Sequence, residues 1–355
     1  MKHCERARAR CFSSKSELAL NLSTSGRDVT FMGYAAPIDG IDISNSNTPA
    51  VGDPTNPVTS SFFRAVAALD PSGRLSFTET NAYSGNNGRA AILNDERRHH
   101  LIYTAGNAGN GNNPQPDGVI LGAGAQIMTQ SFLPEAVQSP GPPTPVASFS
   151  VSQLGFAPDK VGKDDNFRGL TIFNNVLYYT KGSGSNGVDT VYFVDTTGKA
   201  CPSGVGVPQH GQYTDAAAQT TAGLQKWVFD SASQSWQRAY TLDAGLNLGQ
   251  PYVVTGYPIG DNAATGLPWA PATGGLRNIT GRVNRDGTVA VWAVSSTVSG
   301  SGDQGADPNQ LVSITDDVAA TSPGGERFEQ VVAPRYGRVL RGVTLAPHGE
   351  LTRRR

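Results

Sequence analysis

A chain of 355 residues exceeds what a single compact core usually holds, so it must be two domains, a large barrel or a repeat architecture that adds core by repetition. With 42 Gly, 23 Pro and only 16% charged residues it has the turn-rich, charge-poor make-up of an all-β protein and not of a helical one. The formal net charge of -1 provides no basic face, which argues against nucleic acid or an anionic membrane as partner.

In chain order, residues 1–15 (MKHCERARARCFSSK) are basic but lack the apolar run of about 7–15 residues that a secretory signal needs, so this segment is expected to be disordered and not a signal peptide. No stretch approaches the roughly 20 apolar residues of a membrane span. Cys4, Cys11 and Cys201 form neither a C-x-x-C pair nor a metal spacing and read as free thiols. From residue 16 the chain turns into short alternating strands separated by Gly, Asn, Asp and Ser. Residues 18–22, 29–34, 62–69 and 75–80 form a first set of four.

A phrase then recurs: an apolar run, a polar turn, a second apolar run and a Gly/Asn-rich loop. It reads GRAAILNDERRHHLIYTAGNAG from residue 88, FRGLTIFNNVLYYTKGSGSNG from 167 and LRNITGRVNRDGTVAVWAVSSTVSGSG from 276, and VLRGVTLAP near the end begins it again. Each phrase is a β-hairpin. Further strands follow at 118–129 and 146–151, at 190–195, and at 310–315 and 328–333. Four-stranded antiparallel units in series predict a β-propeller over residues 16–347, with 348–355 as a basic tail. The blades are expected to begin near 17, 90, 168 and 278. A hairpin at 224–229 and 236–242 has no leading strands and reads as the outer half of a further blade, with an irregular break at 201–222. The segment 340–345 reads as a closing inner strand. Four blades, a half blade and a closing strand suggest an incomplete ring, so an upstream portion with a secretory signal is expected to be absent.

The phrases FRGLTIFNNVLYYTKGSGSNGVDTVYFVDTTG, GLQKWVFDSASQSWQRAYTL and LRNITGRVNRDGTVAVWAVSST resemble poorly characterised propellers of bacterial secreted and plant proteins, within the broad lactonase-like, kelch-like and NHL-like group. The resemblance implies the fold, and it implies an extracellular or periplasmic setting for an intact ancestor. The Trp-Asp and Gly-Gly signatures of WD40 and kelch repeats are not repeated, so no partner carries over from those families.

In a propeller, the loops joining second to third strands and those joining successive blades share one face, where ligands enter. Here these are the long loops 33–48, 106–117, 182–189 and 299–309, with Asp117, Asp189 and Asp303 as their candidate ligand-binding carboxylates. Arg89, Arg168, Arg277 and Arg341 each open an inner strand. They read either as a guanidinium ring for a carboxylate or phosphate, or as fasteners pairing with an acceptor in their own or the adjacent blade, and the fastener reading explains a once-per-blade arginine without a ligand. Trp269, in GLPWAP, is the tryptophan expected to be available for binding. Asp39, Asp42 and Asn45 concentrate the oxygen ligands Ca²⁺ prefers but lack EF-hand spacing, and an Asx-turn role is the alternative. No other cofactor is expected.

No G-x-S-x-G elbow, H-E-x-x-H, P-loop or dinucleotide fingerprint occurs. The expectation is therefore a monomeric, non-catalytic binding or scaffold propeller whose partner is a small molecule, a glycan or a protein. The alternative is a lactonase-like or other hydrolase working at the channel mouth with loop carboxylates.

Overall fold

The computed structural model describes residues 19–38, 40, 43–52, 56, 58–96, 100–107, 125–130, 136–137, 147–149, 167–173, 176–181, 194–195, 222–230, 232–233, 235–264, 266–298 and 307–348. Among them the protein is all-β, in several small and mainly antiparallel sheets, with a single 3-10 turn at Ile43–Asn45 and no α-helix. The chain divides into two compact units. One takes in Leu18–Gly184 and the residues from Thr344 onward, the other Ser185–Val343.

The N-terminal unit opens with β1 (Asn21–Leu22), β2 (Val29–Tyr34), β3 (Arg64–Leu69) and β4 (Leu75–Thr80), each hydrogen-bonded to the next. The tight β3–β4 turn follows from Asp70, whose carboxylate accepts from Ser72 N and Arg74 N and so does the work of a backbone turn. Next come β5 (Gly88–Asn94), β6 (Leu101–Gly106), β7 (Ala125–Thr129), β8 (Ala136–Val137) and β9 (Ala147–Phe149). β5, β6, β7 and β9 form a four-stranded antiparallel sheet, while β8 leaves them and adds a parallel edge to β4. The hairpin of β10 (Phe167–Phe173) and β11 (Val176–Lys181) completes the unit.

Strand β5 is buried on both faces. Successive side chains of a strand alternate sides, so Ala91 and Leu93 pack with Met32, Val66, Ile102 and Met128. Ala90 and Ile92 pack with Ala105 and Ala125 of their own sheet and with Phe167 and Leu170 of β10. Room for close approach comes from the cross-strand pair Gly88 and Gly106. A Cβ on Gly106 would lie 2.6 Å from both the Asn87 carbonyl oxygen and the ring of Tyr83. Tyr83 itself is buried at φ 61°, a strained conformation for a bulky residue, and is held by a 2.7 Å hydrogen bond between its hydroxyl and Thr104 Oγ1.

Connecting loops of this unit meet on one side. Gly85 N donates to Ser46 O (2.9 Å) and Thr48 N to Ser84 Oγ (2.8 Å), tying the β2–β3 loop to the β4–β5 loop, and Asn107 Nδ2 reaches Asn86 Oδ1 (3.1 Å) from the end of β6. At their centre is Arg64, which is wholly buried. Its Nε and Nη2 donate to Asn86 O (3.1 and 3.0 Å), Nη1 to Phe62 O (2.8 Å) and Nη2 to Ser46 O (2.7 Å). The ring of Tyr34 lies 5.1 Å from its guanidinium carbon. Burial pulls the Arg64 pKa down to about 10, so it remains a cation at neutral pH and is satisfied by carbonyl dipoles.

In the C-terminal unit, β12 (Val194–Asp195), β13 (Gly223–Asp230) and β14 (Ser235–Leu242) form one sheet, β15 (Asp261–Asn262) and β16 (Leu267–Pro268) a small hairpin, and β17 (Ala272–Val283), β18 (Thr288–Val298), β19 (Leu311–Asp317) and β20 (Glu329–Val332) a four-stranded meander. Leu224, Tyr240 and Leu242 of the first sheet pack with Leu276, Ala293, Val312, Ile314 and Phe328 of the meander.

Three expectations are corrected. The hairpin at 224–229 and 236–242 does not stand alone, because β12 pairs with β13 through Val194↔Leu224 and Asp195↔Gly223, and β12 is therefore not a third strand beside β11. The register leaves no side chain at position 223, where a Cβ would collide with the Leu242 carbonyl, and this lets the three backbones approach. Strand β17 begins at Ala272 and not near 278, because its ladder with β18 continues through two register shifts, one between Thr273 and Gly275 and one between Leu276 and Asn278. Residues 340–345 form no strand; Asn309 brackets Leu340 with bonds to its N (2.7 Å) and O (2.8 Å), and Asn278 Nδ2 donates to Arg341 O, so side-chain amides replace a ladder. The expected break lies outside the described residues apart from Ala222, which precedes β13.

Candidate functional site

The C-terminal unit carries a cleft of about 330 Å³, toward the lower end of the 300–1,000 Å³ typical of small-molecule sites. It is built where the connection from β14 to β17 folds back on the meander. Leu246 is buried and anchors the turn after β14, with Leu246 N donating to Asp243 O (3.0 Å). Gly249 N then donates to Thr273 O (2.9 Å) and Tyr252 N to Pro271 O (2.9 Å), which lays residues 249–252 along the start of β17. The Tyr252 hydroxyl donates to Pro308 O (2.7 Å) and lies 3.0 Å from Thr297 Oγ1, and burial pushes this phenol above its ordinary pKa.

Opposite, Gln310 is positioned by paired bonds with Ser295, its N to Ser295 Oγ (3.0 Å) and its O from Ser295 N (2.9 Å). Gln330 Nε2 donates to Gln310 Oε1 (2.6 Å) and Gln310 Nε2 to Thr273 Oγ1 (3.2 Å), a one-way relay of amides across the cleft wall. Asn247 and Gln250 add two more amides, and Pro251, Val253, Ala333 and Pro334 supply apolar surface. Among the described residues no Asp, Glu, Lys, Arg or His lines the cleft.

Aromatic rings stand beside it in the chain. Tyr257 packs edge-on against Trp269 (5.8 Å between centroids) and against Tyr336 (6.2 Å), and its hydroxyl bonds the carboxylate of Asp307. Tyr336, two residues beyond Pro334, is 62% exposed. Trp269 is half-buried, so the exposed ring of this group is Tyr336 and not the tryptophan expected from GLPWAP.

No protein-family model and no curated protein matches this chain.

Among the other candidate residues, Arg89 is buried and donates from Nη1 to Phe167 O (3.1 Å), a bond from the start of β5 to the start of β10. Arg277 is half-buried with Nη2 3.4 Å from Ser296 Oγ, and Arg341 is half-buried beside Asn278. Arg168 lies in β10, with its side chain outside the described residues, as are Asp39, Asp42, Asp117, Asp189 and Asp303. Asn45 sits in the 3-10 turn, and its carbonyl accepts from Asn56 Nδ2 (2.7 Å). Among the described residues no group of three or more His, Cys, Asp or Glu side chains is disposed to hold a metal, and no helix is long and apolar enough to cross a membrane.

A second polar cluster joins β13 and β14 to the end of β19. Lys226 Nζ lies 3.0 Å from Asp316 Oδ2 and donates to the Tyr240 hydroxyl (2.8 Å), Asp317 O (2.6 Å) and Ala320 O (3.2 Å). Although burial opposes its charge, the bonds to Tyr240 and Asp316 hold its pKa above the usual value. With four acceptors around three protons this ammonium is a strut and not a nucleophile. Glu326, whose Oε1 accepts from Asp317 N (3.0 Å), is raised by burial and by the neighbouring Asp316 carboxylate. A raised folded-state pKa means that the fold favours the protonated acid. Its contribution is complete below the ordinary value of 4.5 and is lost as pH rises through the folded-state value. Glu326→Gln, which mimics the protonated acid, is expected to raise the melting temperature at pH 8 relative to the parent and to leave it nearly unchanged at pH 4. A pH series of melts on both proteins checks this.

Proposed function

We propose that this chain is a β-propeller binding protein and not an enzyme, with its ligand received in the cleft between the β14–β17 connection and the β17–β20 meander. Two features support the propeller reading: antiparallel runs of four successive strands, β1–β4 and β17–β20, and a β5 buried between two neighbours.

The observation that carries the functional reading is the chemistry of the cleft wall. Amides and hydroxyls orient a ligand, but they supply neither a general base nor a metal ligand nor an activated nucleophile. A neutral small molecule is the occupant such a wall accommodates without leaving a charge unpaired.

Native mass spectrometry of the intact chain with a mixture of neutral mono- to trisaccharides, amino acids, nucleosides and short lactones tests this. Ala333→Trp fills the cleft from an exposed loop position and should leave folding intact. The parent should form a one-to-one adduct without changing its mass over hours, and Ala333→Trp should weaken that adduct at least tenfold. Turnover of any component, or binding indifferent to the substitution, would overturn the reading.

A further inference from the structure

We infer that the ligand of this cleft is a neutral sugar, held through paired hydroxyls by the amides of Gln310, Gln330 and Gln250. The inference rests on the cleft being the ligand site.

The relay is directional. Gln330 gives one N–H to Gln310 and Gln310 gives one to Thr273. An amide has two donor hydrogens and one acceptor oxygen. Within the described residues, Gln330 therefore keeps its own oxygen and a second N–H, and Gln310 keeps a second N–H. Gln250, exposed on the facing segment, offers a further donor and acceptor side by side. Adjacent sugar hydroxyls, each both donor and acceptor, can engage an amide at both of its ends. Few other neutral groups can do so repeatedly along one molecule.

Competing classes fare worse at this wall. Among the described residues a carboxylate or phosphate would find no cation lining it, and an ammonium no carboxylate, so each would lose hydration without compensation. A wholly apolar ligand would leave the amides covered and unbonded, at about 1–3 kcal/mol for each buried group. Tyr336, two residues beyond Pro334 of the cleft wall, is exposed and stands edge-on to Tyr257, and its ring suits the apolar C–H face that a pyranose presents beside its hydroxyls.

The test is isothermal titration of the full chain with neutral fragments of glucan, mannan, xylan and chitin. Oligogalacturonate, chitosan fragments, adenosine and trialanine serve as the comparison set, because the last two also pair with amides. At least one neutral sugar should bind. Gln310→Ala and Gln330→Ala should each weaken it tenfold or more, and Tyr336→Ala severalfold, with melting curves confirming that the variants fold. Equal binding of the charged fragments overturns the assignment. Adenosine or trialanine entering the cleft while no sugar does overturns the sugar and leaves the cleft as a binding site. If nothing in either set or in the wider mixture above binds, both readings fall.

Discussion

Replacing Arg64 with methionine is expected to lower the stability of the N-terminal unit by about 2–5 kcal/mol, the cost of leaving buried carbonyls without their donor. Methionine reproduces the unbranched stem of the side chain, so the packing along that stem is largely kept. What disappears is the donor set shared by the carbonyls of Phe62, Ser46 and Asn86. The buried carbonyls of Phe62 and Asn86 then lose their guanidinium donors, each costing about 1–3 kcal/mol before relaxation, while Ser46 O keeps its bond from Gly85 N. Arg64→Lys should recover only part of the loss, because a point ammonium cannot span acceptors that the planar fork reaches together. Urea unfolding of parent, methionine and lysine variants measures the series. A methionine variant as stable as the parent would mean that the β2–β3 and β4–β5 loops are joined without the arginine.

Gly245→Ala should cost the C-terminal unit about 2–4 kcal/mol, combining strain at positive φ with a steric clash. Gly245 adopts φ +87° in the turn after β14, where an L side chain is disfavoured. A Cβ there would overlap the Phe328 carbonyl oxygen and stand 3.0 Å from Phe328 N. That same N donates to Ala244 O (2.8 Å), and Phe328 is a buried member of the core. The turn cannot move away without breaking this bond or lifting Phe328. Since Leu246 and Asn247 follow directly and line the cleft, binding should weaken along with stability, whereas Arg64→Met should affect stability alone. Denaturant unfolding paired with titration of a bound sugar separates the two effects.

Strands were legible where apolar alternation met an unambiguous turn. Val29–Tyr34 and Leu75–Thr80 coincide with the sequence reading, and β3 starts two residues later than expected, because Asp-Pro-Ser-Gly at 70–73 punctuates a clear period of two. The partner of β12 was not legible: a two-residue strand carries no periodicity, and its pairing depends on a glycine 28 residues further on in the chain, at position 223. Nor was Arg64, read as part of a strand in SSFFRAVAAL. A cation satisfied by backbone carbonyls needs no carboxylate at any recognisable spacing, so its sequence holds no trace of its partners. The cleft was hidden for a related reason. Gln250, Gln310 and Gln330 come from three separate segments and belong to no motif, while the carboxylates and arginines that sequence chemistry favours do not line it among the described residues.

The most direct measurement is a crystal structure of the chain soaked with the neutral oligosaccharide that binds best in titration. The account predicts sugar in the cleft, with hydroxyls within hydrogen-bonding distance of the Gln250, Gln310 and Gln330 amides and a pyranose face against Tyr336. Sugar bound on another surface, or an empty cleft at saturating ligand, would contradict it.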